Sequence, residues 1–525
     1  DAPWDVLAMS NFNTITSIAV SPQNENVICV GTDDGLLQVT TDEGQAWKKI
    51  EVSALGVPPR SYVNDVKADL FDENTFYVAL DNHKEGDYRP FLYKSTDKGA
   101  SWKSISNGLG SKNLVWRIVQ DHVNKHLMFA ATEFGVYVTF DGGSTWTELA
   151  GGMPTISFRD LAIQRRENDL VAASFGRGFY VLDDYTALRE VSASQMNQQA
   201  TLFTPRKAWW YIQRPVVNFE SKRGSQGAQL FVADNPDFGA VFTYYLKDKL
   251  MSLKDQRQAE EKGGTGNIPF PGWDALNEET RELNPFVYLE IKDSNGNITN
   301  RVKADNKKGF NRVAWDLTVG GTDALALQSS GDNLGGFLCA PGIYSATLYG
   351  FQEGQVNALT AAVSVEVAPL RSGALEGNPL SDVVAFWRAY EVLNRDVSAM
   401  SIRLANGRKK ANLVFKAAIK ANVPNELIQS IAAVRNEIEA LDTQVNGNAA
   451  KNQIGEKNRP IIGDRLFALN RGISTSTFGP TSTHKKTMEV IKDNLAALNE
   501  KLSVQMSGLS QLAEQVKAAG GAWIE

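Results

Sequence analysis

The sequence predicts a mainly β chain with an α-helical C-terminal region: a partial β-propeller of four blades, then an immunoglobulin-like β-sandwich, then a helical hairpin or bundle. Three features of the residue pattern predict it. A turn motif ending in tryptophan recurs three times within the first 146 residues, alternating apolar runs continue to about residue 370, and two apolar seams with helical spacing follow Pro379. With 525 residues, 42% hydrophobic and 22% charged, there is apolar mass for roughly three domains of about 150 residues. Their expected bounds are 1–195, 196–372 and 373–525.

The motif is Ser/Thr-x-Asp-x-Gly-x-x-Trp. It places Thr40, Asp42, Gly44 and Trp47, then Ser95, Asp97, Gly99 and Trp102, then Thr139, Asp141, Gly143 and Trp146. Spacings of 55 and 44 residues between the aspartates suit one four-stranded blade per copy. In each copy the aspartate is expected to bond nearby backbone N–H groups, the glycine to take the strained turn conformation, and the tryptophan to plate the hairpin. Alternating runs precede each motif. They span 15–20, 27–30 and 36–39 in the first blade, 63–68, 75–80 and 91–94 in the second, and 115–119, 127–131 and 136–139 in the third. A fourth set, from Phe158 through 169–173 to 178–182, lacks the motif's glycine and tryptophan and reads as a degenerate closing blade.

These motifs resemble the Asp-box, or BNR repeat, of sialidases, sortilin-type Vps10 domains and two-propeller xyloglucanases. Segments 30–35, 132–137 and 176–180 are similar to the C-terminal half of bacterial sortilin-like, BNR-repeat β-propeller proteins that carry a glycosyl-hydrolase label, and this resemblance covers essentially the whole chain. It implies an extracytoplasmic protein: secreted, periplasmic or on the cell surface. Four blades lie at the bottom of the usual range of roughly four to eight, and an open ring leaves edges exposed. The missing blades are therefore expected from the N-terminal half of the same precursor or from a partner chain.

For residues 196–372, strands are expected at 240–246, 286–292, 312–317, 343–349 and 362–367, with a hairpin at Asn295-Gly296 and a turn at Pro341-Gly342. This is the pattern of an immunoglobulin-like sandwich. The polar stretch 252–284, with Lys254, Glu260, Glu261 and Lys262, reads as a solvated inserted loop with some helix. Beyond it, Leu427, Ile431, Val434, Ile438, Leu441 and Val445 form one seam, and Met488, Ile491, Leu495, Leu498, Leu502, Met506 and Leu509 another. A helix from about Ser381, carrying Val383, Phe386, Trp387 and Tyr390, completes a bundle or coiled-coil hairpin. Gly447 and Gly520-Gly521 suit C-terminal caps.

Charge and motif content bound the function. A formal net charge of −6 gives no general attraction for phosphates or anionic lipid, so nucleic acid is not an expected partner. No run of about 20 apolar residues is present, so no membrane span is expected. The opening Asp1-Ala2-Pro3-Trp4 has no basic-then-apolar signal region, which is expected if a targeting segment was removed or if a longer product precedes it. Cys29 and Cys339 fall in different expected domains and imply neither a disulfide framework nor a thiolate metal site.

In a four-stranded blade the turn between the second and third strands shares a face with the connection into the first strand, and the tryptophan turn lies on the other. The functional face is therefore expected to carry Asp33, Asp34, the loop 81–89, Glu133, Phe134 and Phe175 to Arg177, with Arg60, Tyr62, Trp116, Arg117, Phe158 and Arg159 from the connections. Arginine forks and aromatic plates suit a polar ligand. Arg60, Tyr62, His83, Tyr88, Arg89, Trp116, Arg117, Phe134, Arg159 and Arg177 are thus candidates for holding a peptide or glycan, in a protein that serves as a scaffold. The alternative is a glycoside hydrolase, sialidase-like or xyloglucanase-like, acting on polysaccharide. Its acids would come from Asp33, Asp34, Asp87 and Glu133, or its nucleophile from Tyr62 or Tyr88. The Phe-Arg-Ile-Pro segment of sialidases is absent, and half of a xyloglucanase cleft would be missing. No cofactor is called for. His122 and His126 have i,i+4 spacing but lie in a turn, and the stretch 293–297 alternates oxygen donors without the later bidentate glutamate of a calcium loop, so it reads as a hairpin turn. Structural calcium elsewhere stays open.

Overall fold

Short apolar runs joined by turns fold the first part of the chain into consecutive antiparallel meanders, whose second strands are buried almost throughout in the first three sheets. The computed structural model describes residues 13–214, 233–264, 269–329, 335–373, 376–457 and 460–524. The first sheet is Ile15–Val20, Ile28–Thr32, Leu36–Thr40 and Lys48–Glu51, hydrogen-bonded in sequence order. The second is Tyr62–Ala68, Phe76–Asn82, Asp87–Ser95 and Lys103–Ser104, and the third Val115–Gln120, Met128–Thr132, Gly135–Thr139 and Thr147–Glu148. Phe158–Gln164, Asp169–Ser174 and Phe179–Leu182 make a fourth sheet of three strands.

Each sheet meets the next through its first strand. Thr16 Oγ1 donates to the Val63 carbonyl (2.7 Å), Asn64 Nδ2 to the Val115 carbonyl (2.9 Å), and the Ile118 N–H to the buried Asp65 carboxylate (3.1 Å). Apolar layers fill the spaces between: Val39, Val63 and Phe76 between the first two sheets, Ile105, Met128 and Trp146 between the second and third, and Phe129, Phe158 and Tyr185 between the third and fourth. Innermost first strands with later strands stepping outward is the arrangement of propeller blades.

The tryptophan turns share one hydrogen-bond circuit. Thr40 Oγ1 donates to Asp42 (2.7 Å) and accepts the Gly44 N–H (2.9 Å), while Asp42 takes the Ala46 N–H (2.9 Å). Ser95, Asp97 and Gly99 repeat it at 2.8 and 2.9 Å, and Thr139, Asp141 and Gly143 at 2.7 and 3.0 Å. All three glycines have positive φ, and a Cβ on Gly143 would stand 2.8 Å from Ile105 Cδ1. The plates are unequal, however. Trp146 is 3% exposed and donates to the Ile105 carbonyl at 2.7 Å, whereas Trp47 is 42% exposed and bonds only within its own turn, to the Gly44 carbonyl.

The chain divides into two units, residues 1–206 with 243–248, and residues 207–242 with 249–525. In the first, Ala200–Leu202 pairs with Tyr244–Leu246. The second contains a six-stranded sheet ordered Ala208–Trp210, Val363–Pro369, Gly342–Gln352, Phe286–Lys292 and Ile298–Ala304, with Gln355–Ala358 paired to Gly342–Gln352. Ile298–Ala304 is the second strand of the hairpin expected at Asn295-Gly296. Two other strands escaped the sequence reading: Gln355–Ala358 is a short polar run, and Ala208–Trp210 is a three-residue strand that joins in parallel to Val363–Pro369. Gly309–Trp315 begins three residues ahead of the expected strand. The insertion carries two helices, Leu253–Gly263 and Trp273–Arg281, clamped by Arg257 Nε to Glu279 (2.6 Å).

Where a hairpin or bundle was expected, four helices of 13 residues or more follow: Leu380–Lys420, Asn425–Asn446, Ile462–Ser474 and Ser482–Ala518. Both expected seams lie in the second and fourth, with Ile431, Ile438, Leu441, Leu495, Leu498 and Leu502 buried. The third, which the sequence reading passed over, buries Ile462, Leu466, Leu469 and Ile473. Gly447 and Gly520 end their helices at positive φ as expected. Among the described residues no helix is long and apolar enough to cross a membrane.

Candidate functional site

Backbone hydrogen bonds decide which turns share an end of the sheets. The Asp33 N–H reaches the Thr14 carbonyl (3.1 Å), Glu133 reaches Leu114 (2.9 Å) and Phe175 reaches Ser157 (2.8 Å), so in the first, third and fourth sheets the turn between second and third strands is sewn to the connection entering its own sheet. The tryptophan turns are held instead to the turns between first and second strands, through Glu43 to Asn26 (3.2 Å), Lys98 to Asn74 (2.8 Å) and Gly142 to His126 (2.9 Å). The two sets therefore lie at opposite ends.

The first end concentrates its interactions around Trp116. The indole N–H donates to Glu133 Oε2 at 3.0 Å, the Ser157 hydroxyl donates to the same oxygen at 3.0 Å, and Arg159 Nε donates to Ser157 Oγ at 3.0 Å. These bonds hold the Arg159 guanidinium over Trp116, its Cζ 3.7 Å from the ring centroid and 5.1 Å from that of Phe175. On the other side His83 meets Trp116 edge-on, with centroids 5.9 Å apart, and its Nδ1 contacts the buried Asp81 carboxylate. The result is a strip of three rings and one guanidinium, His83, Trp116, Arg159 and Phe175, crossing three sheets. Phe175 is 70% exposed at its end.

No family model matches the chain, and no curated protein does. Among solved structures the chain is similar to the Niastella koreensis GH74 enzyme, at 16% identity over 33% of this chain and 29% of that one, with a TM-score of 0.27. YCF48 bound to D1 peptide matches at 19% identity over 33% and 52% of the two chains, TM-score 0.26. The β-propeller domain of Myceliophteria thermophila Cps50 (Swd1) matches at 12% identity over 34% and 55%, TM-score 0.26. The chain thus spans between 29% and 55% of the length of these three. Likeness of this degree carries nothing about activity, which has to be argued from the side chains.

The other nominated residues divide into those that are free to meet a ligand and those that are not. Arg117 is not. Its guanidinium bridges Asp65 (2.9 Å) and Asp160 (3.3 Å), so it pins the first strands of three sheets together. Sequence reading missed this because Asp65 lies 52 residues away and carries no local signal. Arg89 forms a fork with Asp87 at 2.9 and 2.6 Å, which holds the Asp87 carboxyl below the usual carboxylate range. Tyr88, Phe134, Arg60 and Arg177 are exposed. Tyr62 has its phenol pushed up by burial and by the neighbouring Asp33 and Asp81, against an opposing pull from Arg117. It therefore stays protonated, a hydrogen-bond donor and a poor nucleophile.

The candidate acids are similarly engaged. Asp33 Oδ1 accepts the N–H groups of Asn13 (2.9 Å) and Thr14 (2.8 Å), Asp34 accepts the Thr32 hydroxyl, and Glu133 braces Trp116 and Ser157. Asp293 takes the N–H groups of Asn295 and Asn297, both at 2.9 Å, in the hairpin turn expected there. Both thiols are unpaired and buried, and burial pushes Cys29 up to about 12.

Proposed function

We propose that this chain presents a binding face, centred on Trp116 and Arg159, for a peptide or glycan that carries a carboxylate, and that it acts as a scaffold rather than as a hydrolase. The observation that carries this reading is the braced strip. Arg159 is held through Nε by Ser157, over the Trp116 ring, and with NH2 3.9 Å from Glu133 Oε2, which leaves NH1 without a partner among the described residues to meet an acidic group, and preorganisation lowers the entropy cost of binding. Hydrolysis has less support. A glycosidase needs one carboxyl kept protonated and a second free to attack or to activate water. Here Asp87 is held ionised by Arg89, and Asp33 and Glu133 are acceptors in structural bonds.

The four sheets are read as four blades of a larger ring. Ile15, Ile18 and Val20 on the first sheet and Phe179 and Val181 on the fourth are exposed, whereas Val63 and Val66 on the first strand of the second sheet are buried against a neighbour. Apolar faces at both ends of the row suit further blades, from the N-terminal half of a common precursor or from a partner chain. The β region that follows is read as an immunoglobulin-like sandwich, and the setting as extracytoplasmic. The test is direct binding of the intact chain to immobilised acidic peptides and uronic-acid or sialic-acid glycans. Arg159→Ala is expected to weaken the best ligand about tenfold or more, the worth of one charge-assisted pair. Undiminished binding by that variant removes the face from the account.

A further inference from the structure

The second unit carries an open cleft of about 500 Å³, a volume that suits a small organic ligand, and its lining comes entirely from that unit. Buried Trp387 and Tyr390 of helix Leu380–Lys420 contribute to its wall. Phe337 stacks on Trp387 with centroids 5.3 Å apart and meets Tyr390 edge-on at 5.6 Å. Tyr211 and Phe238, edge-to-face at 5.0 Å, add a second aromatic pair.

The charged lining has one sign. Asp316, Asp323 and Glu391 contribute carboxylates, and no lysine or arginine is among the described lining residues. Glu391 is already balanced, since Arg388 NH1 meets its Oε2 at 2.6 Å while the Phe337 N–H donates to Oε1 at 2.6 Å. The two aspartates are not. Asp316 accepts the Thr318 N–H and hydroxyl through Oδ1 only, and Asp323 accepts Asn394 Nδ2 through Oδ1 only, so each keeps its Oδ2 without a partner among the described residues. Both occupy exposed positions, as a mouth requires. Ring faces attract cations through their quadrupole, and uncompensated carboxylates add charge of the matching sign. A neutral ligand could use the apolar walls and the neutral polar groups such as Gln213, Asn394 and Asn470 but would gain nothing from the carboxylate charge, and an anion would be repelled.

We propose that this cleft binds an organic cation, an amine or quaternary ammonium group on an apolar body. Calorimetric titration of the intact chain with benzyltrimethylammonium, benzyl alcohol and benzoate tests it. The cation is expected to bind saturably and about tenfold or more tighter than either of the others, and added salt is expected to weaken it. The double variant Asp316→Asn, Asp323→Asn is expected to lose about tenfold for the cation with no loss for benzyl alcohol. Tyr211→Ala, at a half-open position, is expected to weaken the cation as well. Equal affinities for the three probes, an unaffected double variant, or no saturable binding at millimolar concentration would each overturn the proposal.

Discussion

Trp47 and Trp146 hold the same place in the same turn, yet their surroundings set different energetic roles. Trp146 lies between the second and third sheets, so its removal empties a packed layer, and Trp146→Ala is expected to cost about 3–5 kcal/mol in urea unfolding followed by circular dichroism. Trp47 stands at the open surface of the first sheet. Trp47→Ala leaves no enclosed cavity there and is expected to cost about 1–2 kcal/mol. The aspartates of these turns also carry a pH dependence. Asp97 is held down at about 2 by the Ser101 hydroxyl, then by the Ser101 N–H and the Ser95 hydroxyl. A carboxyl whose pKa falls on folding holds its proton more tightly when unfolded, so its stabilisation is complete above about pH 4 and drains away as the pH drops toward 2. The melting-temperature gap between the native chain and Asp97→Asn is therefore expected to be widest above pH 5 and to shrink below pH 4. Motif chemistry was legible in the sequence because its bonds are local. The role of Arg117 was not, since its two carboxylate partners lie on neighbouring sheets.

At the scale of elements, the fourth sheet shows how a sheet without a tryptophan turn is secured. After Leu182 the chain enters the 3-10 turn Thr186–Arg189, and Tyr185 and Arg189 reach back to fully buried Asp121 in the third sheet's first turn. The Tyr185 hydroxyl donates at 2.6 Å and Arg189 donates through Nε at 2.9 Å and through NH2 at 2.7 Å. Removing one member of such a pair strands a buried charge. Asp121→Ala is expected to destabilise the chain by about 3–5 kcal/mol and to expose the bond after Arg189 to trypsin, whereas unchanged cleavage would mean that the apolar layer alone holds this sheet. Elements with full periodicity were readable in advance. Helix Ile462–Ser474 had the spacing too, in Ile462, Leu466, Leu469 and Ile473, but its 13 residues give a short pattern beside the two long seams. Ala208–Trp210 offered no period at all, because a three-residue strand is defined by its partner.

Across the whole molecule, the row of sheets exposes apolar side chains at both ends and gathers its charged and aromatic loops at one rim. Strand order dictates which turns share an end, and the backbone bonds of Asp33, Glu133 and Phe175 agree with it; the sequence did not foretell that Glu133 and Asp33 would serve as braces. That distinction separates a binding face from a catalytic one, and turnover decides it. The most direct measurement is incubation of the intact chain with a polysaccharide panel, including xyloglucan and sialylated glycans, followed by reducing-end detection. Binding that depends on Arg159 with no new reducing ends is the expected result. Release of reducing ends that disappears in Glu133→Gln or Asp33→Asn would contradict the account.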